Sequence, residues 1–421
     1  MTENIAKIAR FNFWDGPLET GFRRKTYLER LQKYNASSLV RVLVGQRRVG
    51  KSYVLRQVIG DLVQSGVDPR NTLYINKEYL EYDFISKADD LVFFVRQLIE
   101  IAPQKNEFHL FIDEVQVIQD WEKAINALSQ DFTYKVNIYL TGSNARLLSG
   151  ELATFLSGRY VKFLILPFSY MEYAEMTLQQ RSRKVFLEYM QSGGMPELFR
   201  LPDQESKRNY MLAIYDTILL RDVVQRHQIR DIKLLQDTFA FLVNNVGNLF
   251  SINNLVTYFE KQHRKTSYET ISLYLSHLED AYLIHRCDRF DIKGKEILKG
   301  DAKYYLNDLS FKNYLFPGVF HGWGYLMENL VFLELLNAGH DVFVGKLRDK
   351  EVDFVVKKGD QRLYLQSAFQ LDDTTTRERE YASLNSISDQ YEKGVVSADE
   401  IAIPSMNGIW NRLVWQDWMV A

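Results

Sequence analysis

The stretch Ser38-Leu39-Val40-Arg41-Val42-Leu43-Val44-Gly45-Gln46-Arg47-Arg48-Val49-Gly50-Lys51-Ser52 decides the fold. Its second half fits G-x-x-x-x-G-K-[ST]. The first half is apolar enough for a buried strand, and Ser52 to Gln64 continues with helical spacing, so the motif sits in the strand, loop, helix context it needs. Glycines let the backbone turn tightly and aim successive N–H groups at an anion. The helix that follows adds the positive end of its dipole. Gly45, Gln46, Arg47, Arg48, Val49, Gly50, Lys51, Ser52 and Tyr53 are therefore the expected phosphate cradle. Lys51 would reach the β- and γ-phosphates and the Ser52 hydroxyl would ligate Mg²⁺. The competing reading is a glycine turn that carries a surface lysine.

Working outward, Asn71 to Asn76 reads as a second strand after a turn at Asp68-Pro69, and Asp89 to Ile101 as a helix. His109-Leu110-Phe111-Ile112-Asp113-Glu114 is an apolar strand that ends in two carboxylates. Beside a phosphate loop, Asp113 is expected to hold Mg²⁺ through water and Glu114 to polarise an attacking water. A helix-capping role for the same pair is the alternative. A further strand, Tyr134 to Thr141, leads to Gly142-Ser143-Asn144. Either Ser143 or Asn144 is placed to contact a γ-phosphate or the lytic water, and the sequence does not choose between them. Arg159 precedes the apolar strand Tyr160 to Leu166; it is a candidate transition-state cation, in cis or across a subunit contact, or else half of a structural ion pair. Alternating strands and helices predict a parallel sheet with helices on both faces.

Composition narrows the class. The chain has 421 residues, 46% of them hydrophobic and 25% charged, as in a soluble globular protein of about two to four domains. The net charge of −2 excludes a global attraction to nucleic acid, so any basic surface must be local. The single cysteine, Cys287, excludes an internal disulfide framework and a cysteine-based zinc site, and points to a reducing cytoplasm. Met1 to Arg10 carries charges without a long apolar core, unlike a signal peptide, and no uncharged run approaches the roughly 20 residues that span a bilayer.

The motifs Gly45 to Ser52, Phe111-Ile112-Asp113-Glu114-Val115-Gln116, Leu140 to Leu148 (with Arg146) and Leu156-Ser157-Gly158-Arg159-Tyr160 resemble those of prokaryotic AAA-type ATPases with a C-terminal domain of unknown function of the DUF4143 type. Leu166-Pro167-Phe168-Ser169-Tyr170 and Gly193-Gly194-Met195-Pro196-Glu197 extend the resemblance over nearly the whole chain. It implies an α/β P-loop ATPase core over residues 1–170, a helical lid over 171–242, a winged helix-turn-helix over 243–307 and a restriction-endonuclease-like α/β domain over 308–421. It also implies ATP as the nucleotide, with Mg²⁺, and homo-oligomers as a candidate state.

The later segments support that order in their own patterns. Helical periods at Leu235–Asn245, Ile252–Glu260 and Tyr268–Ala281 precede two strands, Tyr282–Phe290 and Lys303–Leu306. This is the winged-helix order, whose third helix can enter a DNA major groove. His263, Arg264, Lys265, Arg286, Arg289, Lys293, Lys295 and Lys299 would supply a local basic surface for double-stranded DNA. A rigid spacer is the alternative. Further on, Glu328 and Asp353 match the first two acids of a PD-(D/E)xK site, but Gln366 replaces the third acid and Ala368 the lysine. Losing both groups should cost powers of ten in rate, so this domain is expected not to cut; activity would require Lys346 or Lys357 to take the lysine's role. The leading expectation is a slowly hydrolysing Mg-ATP switch that couples nucleotide state to the winged-helix and nuclease-like C-terminal module, with an unknown protein partner. The alternative is an ATP-gated DNA-binding regulator or defence-type protein.

Overall fold

The computed structural model describes all residues except 1, 105–106, 132, 146–155, 157, 319–321 and 420–421. Arg146, Leu147, Leu148 and Ser157 of the motifs above lie outside the described residues. The chain divides into two compact units, Met1–Ile165 and Leu166–Ala421.

The first unit is built on five strands: β1 (Val40–Val44), β2 (Thr72–Asn76), β3 (Glu107–Asp113), β4 (Lys135–Gly142) and β5 (Tyr160–Leu164). They pair in the order β2-β3-β4-β1-β5, and every pairing is parallel. Every residue of β1 and β2 is buried, so apolar side chains occur on both faces, and the polar Arg41, Thr72 and Asn76 are buried with them. Helices Lys51–Gln64, Ala88–Ile101 and Trp121–Ser129 link successive strands. Because β4 lies between β1 and β3, the carboxyl ends of all three open onto one edge: Val44 pairs with Gly142 and Ile112 with Leu140. Chain direction and strand order diverge at this edge, the usual place for a ligand in an open parallel sheet.

The second unit holds an eight-stranded sheet of β6 (Leu249–Phe250), β7 (Ile284–Asp291), β8 (Glu296–Leu306), β9 (Asp341–Leu347), β10 (Lys350–Lys358), β11 (Gln361–Ala368), β12 (Glu392–Ser397) and β13 (Trp410–Leu413). Its order is β13-β12-β11-β10-β9-β7-β8-β6. Helices Ile232–Asn244, Ile252–Lys261 and Tyr268–Asp280 precede the β7–β8 hairpin in the expected order. The hairpin is not a free wing, however. Its β7 edge pairs in parallel with β9, Arg289 against Val344 and Asp291 against Lys346. Phe290 and Ile292 pack into the same core as Val352, Val355, Tyr364, Leu384 and Val395, so sheet and core cross position 307/308 without a break.

The two glycines of Gly193-Gly194 have a packing reason. A Cβ on Gly194 would lie 2.2 Å from the Phe168 carbonyl, and one on Gly193, whose φ is +75°, would lie 2.2 Å from Asp308 Oδ1. Phe168 N–H donates to the Gly194 carbonyl (2.8 Å), and Gly194 N–H donates to Asp308 Oδ2 (2.7 Å). The motifs Leu166–Tyr170 and Gly193–Glu197 are thus two sides of one backbone contact.

Candidate functional site

The loop Gly45–Gly50 turns from β1 into helix Lys51–Gln64 through three positive-φ residues: Gly45 (+150°), Arg48 (+68°) and Gly50 (+98°). Gly45 is also required by space, since a Cβ there would meet the Ile165 carbonyl at 2.2 Å. Lys51 is 5% exposed, and its Nζ donates to the Gly45 and Gln46 carbonyls, 2.9 Å each. From outside the motif, Arg24 Nη1 donates to the Val49 carbonyl, and Gln57 ties the Thr20–Arg24 segment to the loop's own helix through Thr20, Phe22 and Arg24. Tyr53 packs its ring against Gly21 and lies under Arg56.

The acid pair stands at the end of β3. Asp113 accepts from Tyr74 Oη (2.8 Å), from Asn76 Nδ2 (3.2 Å), from the Thr141 hydroxyl and from Ser52. Burial, then the neighbouring Glu114 charge, lift its carboxyl above the ordinary range despite these donors. A cation at this point would favour the ionised form, so the surroundings fit a Mg²⁺ site made with Ser52. Glu114 adopts a left-handed conformation (φ 56°), uncommon for a residue with a side chain and concentrated at functional sites. Its N–H donates to Thr141 Oγ1 (3.0 Å), while Oε2 accepts from Ser143 Oγ (3.1 Å) and Gln116 Nε2 (2.5 Å). Burial disfavours its charge, but Lys51, Arg47 and those two hydrogen bonds outweigh burial and hold its carboxyl below the ordinary range. The two acids are therefore pushed apart in their proton affinity, the pattern of residues with separate roles.

The structure brings Gly45–Tyr53, Asp113, Glu114, Ser143 and Asn144 to one edge, with Asn144 only 4% exposed. Between the two γ-phosphate candidates, Ser143 is the one bonded to Glu114. Arg159 is not part of this assembly. It is exposed and immediately precedes β5, its carbonyl accepting from Val40 N–H at the start of β1. The loop begins at the other end of β1, roughly 16 Å away at about 3.3 Å per residue. The expectation that Arg159 acts on phosphate in cis is corrected by this placement. Thr141, Tyr74 and Asn76 are site residues that the motif reading missed.

In the second unit, the acids of the nuclease pattern meet a different set of partners. Glu328 Oε1 accepts from Lys303 Nζ (2.9 Å) and Tyr305 Oη (2.7 Å), and Lys303 also pairs with Glu351 (2.8 Å). Burial works against the Lys303 charge, but Glu328, Asp353 and Glu351 raise its affinity for the proton. Gln366 accepts from Asp353 N–H (2.6 Å) and donates to Glu380 (2.7 Å), while Asp353 Oδ2 accepts from Ser367 N–H (2.8 Å). The lysine in this cluster is thus Lys303 from β8. Lys357 lies over the Phe290 ring at 3.7 Å. Among the described residues, the carboxylates here form no group of three close enough to share an ion. The expected basic surface is partly neutralised: Arg264 pairs with Asp237 and Asp231, and Arg286 with Asp288, while Lys265, Lys293, Lys295 and Lys299 remain exposed. No helix of the described residues is long and apolar enough to cross a membrane.

Comparison with known proteins follows this division. An AAA domain family (AAA_14) matches residues 37–174, and a domain of unknown function, DUF8612, matches residues 183–319. An uncharacterised protein of Haemophilus influenzae is 35% identical over 401 residues, covering 94% of this chain and 98% of its own length. The uncharacterised protein MJ1544 of Methanocaldococcus jannaschii is 33% identical over 363 residues, covering 81% of this chain and 77% of its own. Among solved structures, the Walker-type ATPase PABY2304 of Pyrococcus abyssi is 16% identical, with 70% of this chain and 95% of that one covered and a TM-score of 0.43. The chain belongs to one family with the Haemophilus and Methanocaldococcus proteins, and carries an AAA domain followed by a domain of unknown function.

Proposed function

We propose that this protein is a Mg-ATP-dependent switch that hydrolyses slowly and transmits the state of its phosphate loop to the second unit. The observation that carries the reading is the joined geometry of loop and acids: Ser52 bonds Asp113, and Thr141 bonds both Asp113 and Glu114. Bound Mg-ATP supplies the scissile phosphoanhydride bond and a cation that offsets phosphate charge. Lys51 and the loop N–H groups bind and orient the phosphates, and Ser52 and Asp113 hold the cation. Glu114, kept ionised by Lys51 and Arg47, orients a water and receives its proton at the carboxylate, with Ser143 fixing the angle of that group.

Coupling has a local basis. Ile165, the last residue of the first unit, donates its N–H to the Val44 carbonyl at 2.7 Å, and its own carbonyl is the atom against which Gly45 packs. A change in the Gly45 backbone is therefore felt where the chain enters the second unit. The nuclease-like cluster is read as structural, since Lys303 and the Gln366 amide are already committed to protein groups. Exposed Lys265, Lys293, Lys295 and Lys299 favour a second reading in which the partner is duplex DNA. Steady-state Mg-ATP turnover, measured with and without duplex DNA at two salt concentrations, separates them. Slow turnover unchanged by DNA supports a protein partner. Stimulation that fades with salt supports the DNA reading. Nucleotide binding that survives Lys51→Ala would refute both.

A further inference from the structure

Two helix C-termini in the second unit bring three metal-ligating side chains together. His227 closes a long helical run in which helix Gln204–Thr217 widens into the π-helix Ile218–Gln225, and Gln228 then turns at φ 52°. His277 and Asp280 stand three residues apart in the last turn of helix Tyr268–Asp280, a spacing that puts them on one face. One ligand atom from each of His227, His277 and Asp280 lies within 4.8 Å of the other two. The two imidazole rings stack with centroids 3.6 Å apart and planes 10° apart, and His277 is 3% exposed.

We infer that His227, His277 and Asp280 form a binding site for one transition-metal dication, with Zn²⁺ the best match. Two imidazoles and one carboxylate are a borderline donor set, suited to Zn²⁺ and unlike the all-oxygen shells of Mg²⁺ and Ca²⁺. Zinc–ligand bonds of about 2.0–2.2 Å at a tetrahedral angle put donor atoms roughly 3.4 Å apart, so the observed group closes on an ion by side-chain rotation. Both helices present their C-terminal, partially negative ends to the site, which favours a cation there. The π-helical segment that delivers His227 is a rare geometry that concentrates at functional positions. The Tyr282 phenol, two residues beyond Asp280, is buried and has no hydrogen-bond partner among the described residues. The three protein ligands leave a fourth position for water or an incoming group. A bound ion cross-links the helical run ending at His227 to helix Tyr268–Asp280, on opposite sides of position 242/243.

The site is independent of the nucleotide reading and is tested by the metal alone. Untagged full-length protein is stripped with a chelator, desalted and titrated with Co²⁺ while its visible d–d absorption is followed. One Co²⁺ per chain should bind with a tetrahedral-type spectrum and be displaced by Zn²⁺. Asp280→Asn and His227→Gln should each weaken the site at least tenfold, and Zn²⁺ should raise the melting temperature of the wild type but not of Asp280→Asn. Asp280 is only partly buried, so its near-isosteric amide preserves the fold, and unchanged circular dichroism confirms that. No saturable one-to-one site, or equal Co²⁺ affinity in the wild type and both variants, would overturn the assignment.

Discussion

Thr141 shows what a single hydroxyl does in this site. One oxygen donates to Asp113 and accepts from the Glu114 N–H, so it sets the distance between the proposed cation ligand and the proposed base. Thr141→Val keeps the volume and the strand preference but removes both bonds. Turnover is expected to fall about 10²-fold, the scale of a small misplacement of catalytic groups, while ATP affinity changes by less than threefold. Equal losses in kcat and affinity would show that Thr141 serves only the packing of the loop. The acid pair was legible as a candidate because it ends an apolar strand downstream of a phosphate loop, although such pairs also serve as helix caps. Thr141, Tyr74 and Asn76 were not, since a β-branched, aromatic or amide residue on a buried strand looks the same with or without a task. The cis role for Arg159 had a different flaw: in a parallel sheet a residue that precedes its strand lies at the end opposite the loop.

At the scale of elements, local patterns served best where period and punctuation agreed. The strands flanking the phosphate loop and the helix Ile252–Lys261 fall within a residue or two of expectation. Strands β12 and β13 went unread because Glu392-Lys393-Gly394 and Asn411-Arg412 interrupt the apolar runs that mark a strand. The merger of the β7–β8 hairpin with β9 was also hidden, since pairing across a gap of some fifty residues leaves no local trace. The Gly193-Gly194 contact is the strongest test at this scale. Gly194→Ala forces a Cβ into the Phe168 carbonyl and should cost roughly 3 kcal/mol, in line with overpacking at a closed contact. Chemical denaturation followed by tryptophan fluorescence measures it, and a loss under about 0.5 kcal/mol would contradict the contact.

At the scale of the whole molecule, pH reports on two acids of the second unit, the buried Asp308 and the partly buried Glu334. Burial lifts Glu334 to about 7 and Asp308 to about 6. Both bind protons more tightly folded than unfolded, so their contribution is fully present below the unfolded pKa, near 4, and is lost as pH rises through 6 to 7. Stability of the second unit should therefore decline between about pH 4.5 and 7. Glu334→Gln, which keeps the acceptor for the Tyr170 N–H, should flatten that decline and stabilise the protein at pH 8 relative to the wild type. Denaturant midpoints at pH 5 and pH 8 decide it; an unchanged slope would mean that Glu334 is hydrated when folded.

The ATPase unit has its own decisive comparison. Wild type and Glu114→Gln are assayed side by side for Mg-ATP binding by calorimetry and for steady-state phosphate release. The geometry at β3 and β4 predicts equal binding, because the proposed phosphate and cation contacts belong to Lys51, Ser52 and Asp113, and a loss of turnover of at least about 10²-fold in the variant. Turnover that persists undiminished in Glu114→Gln would contradict the assignment of Glu114 as the residue that activates water.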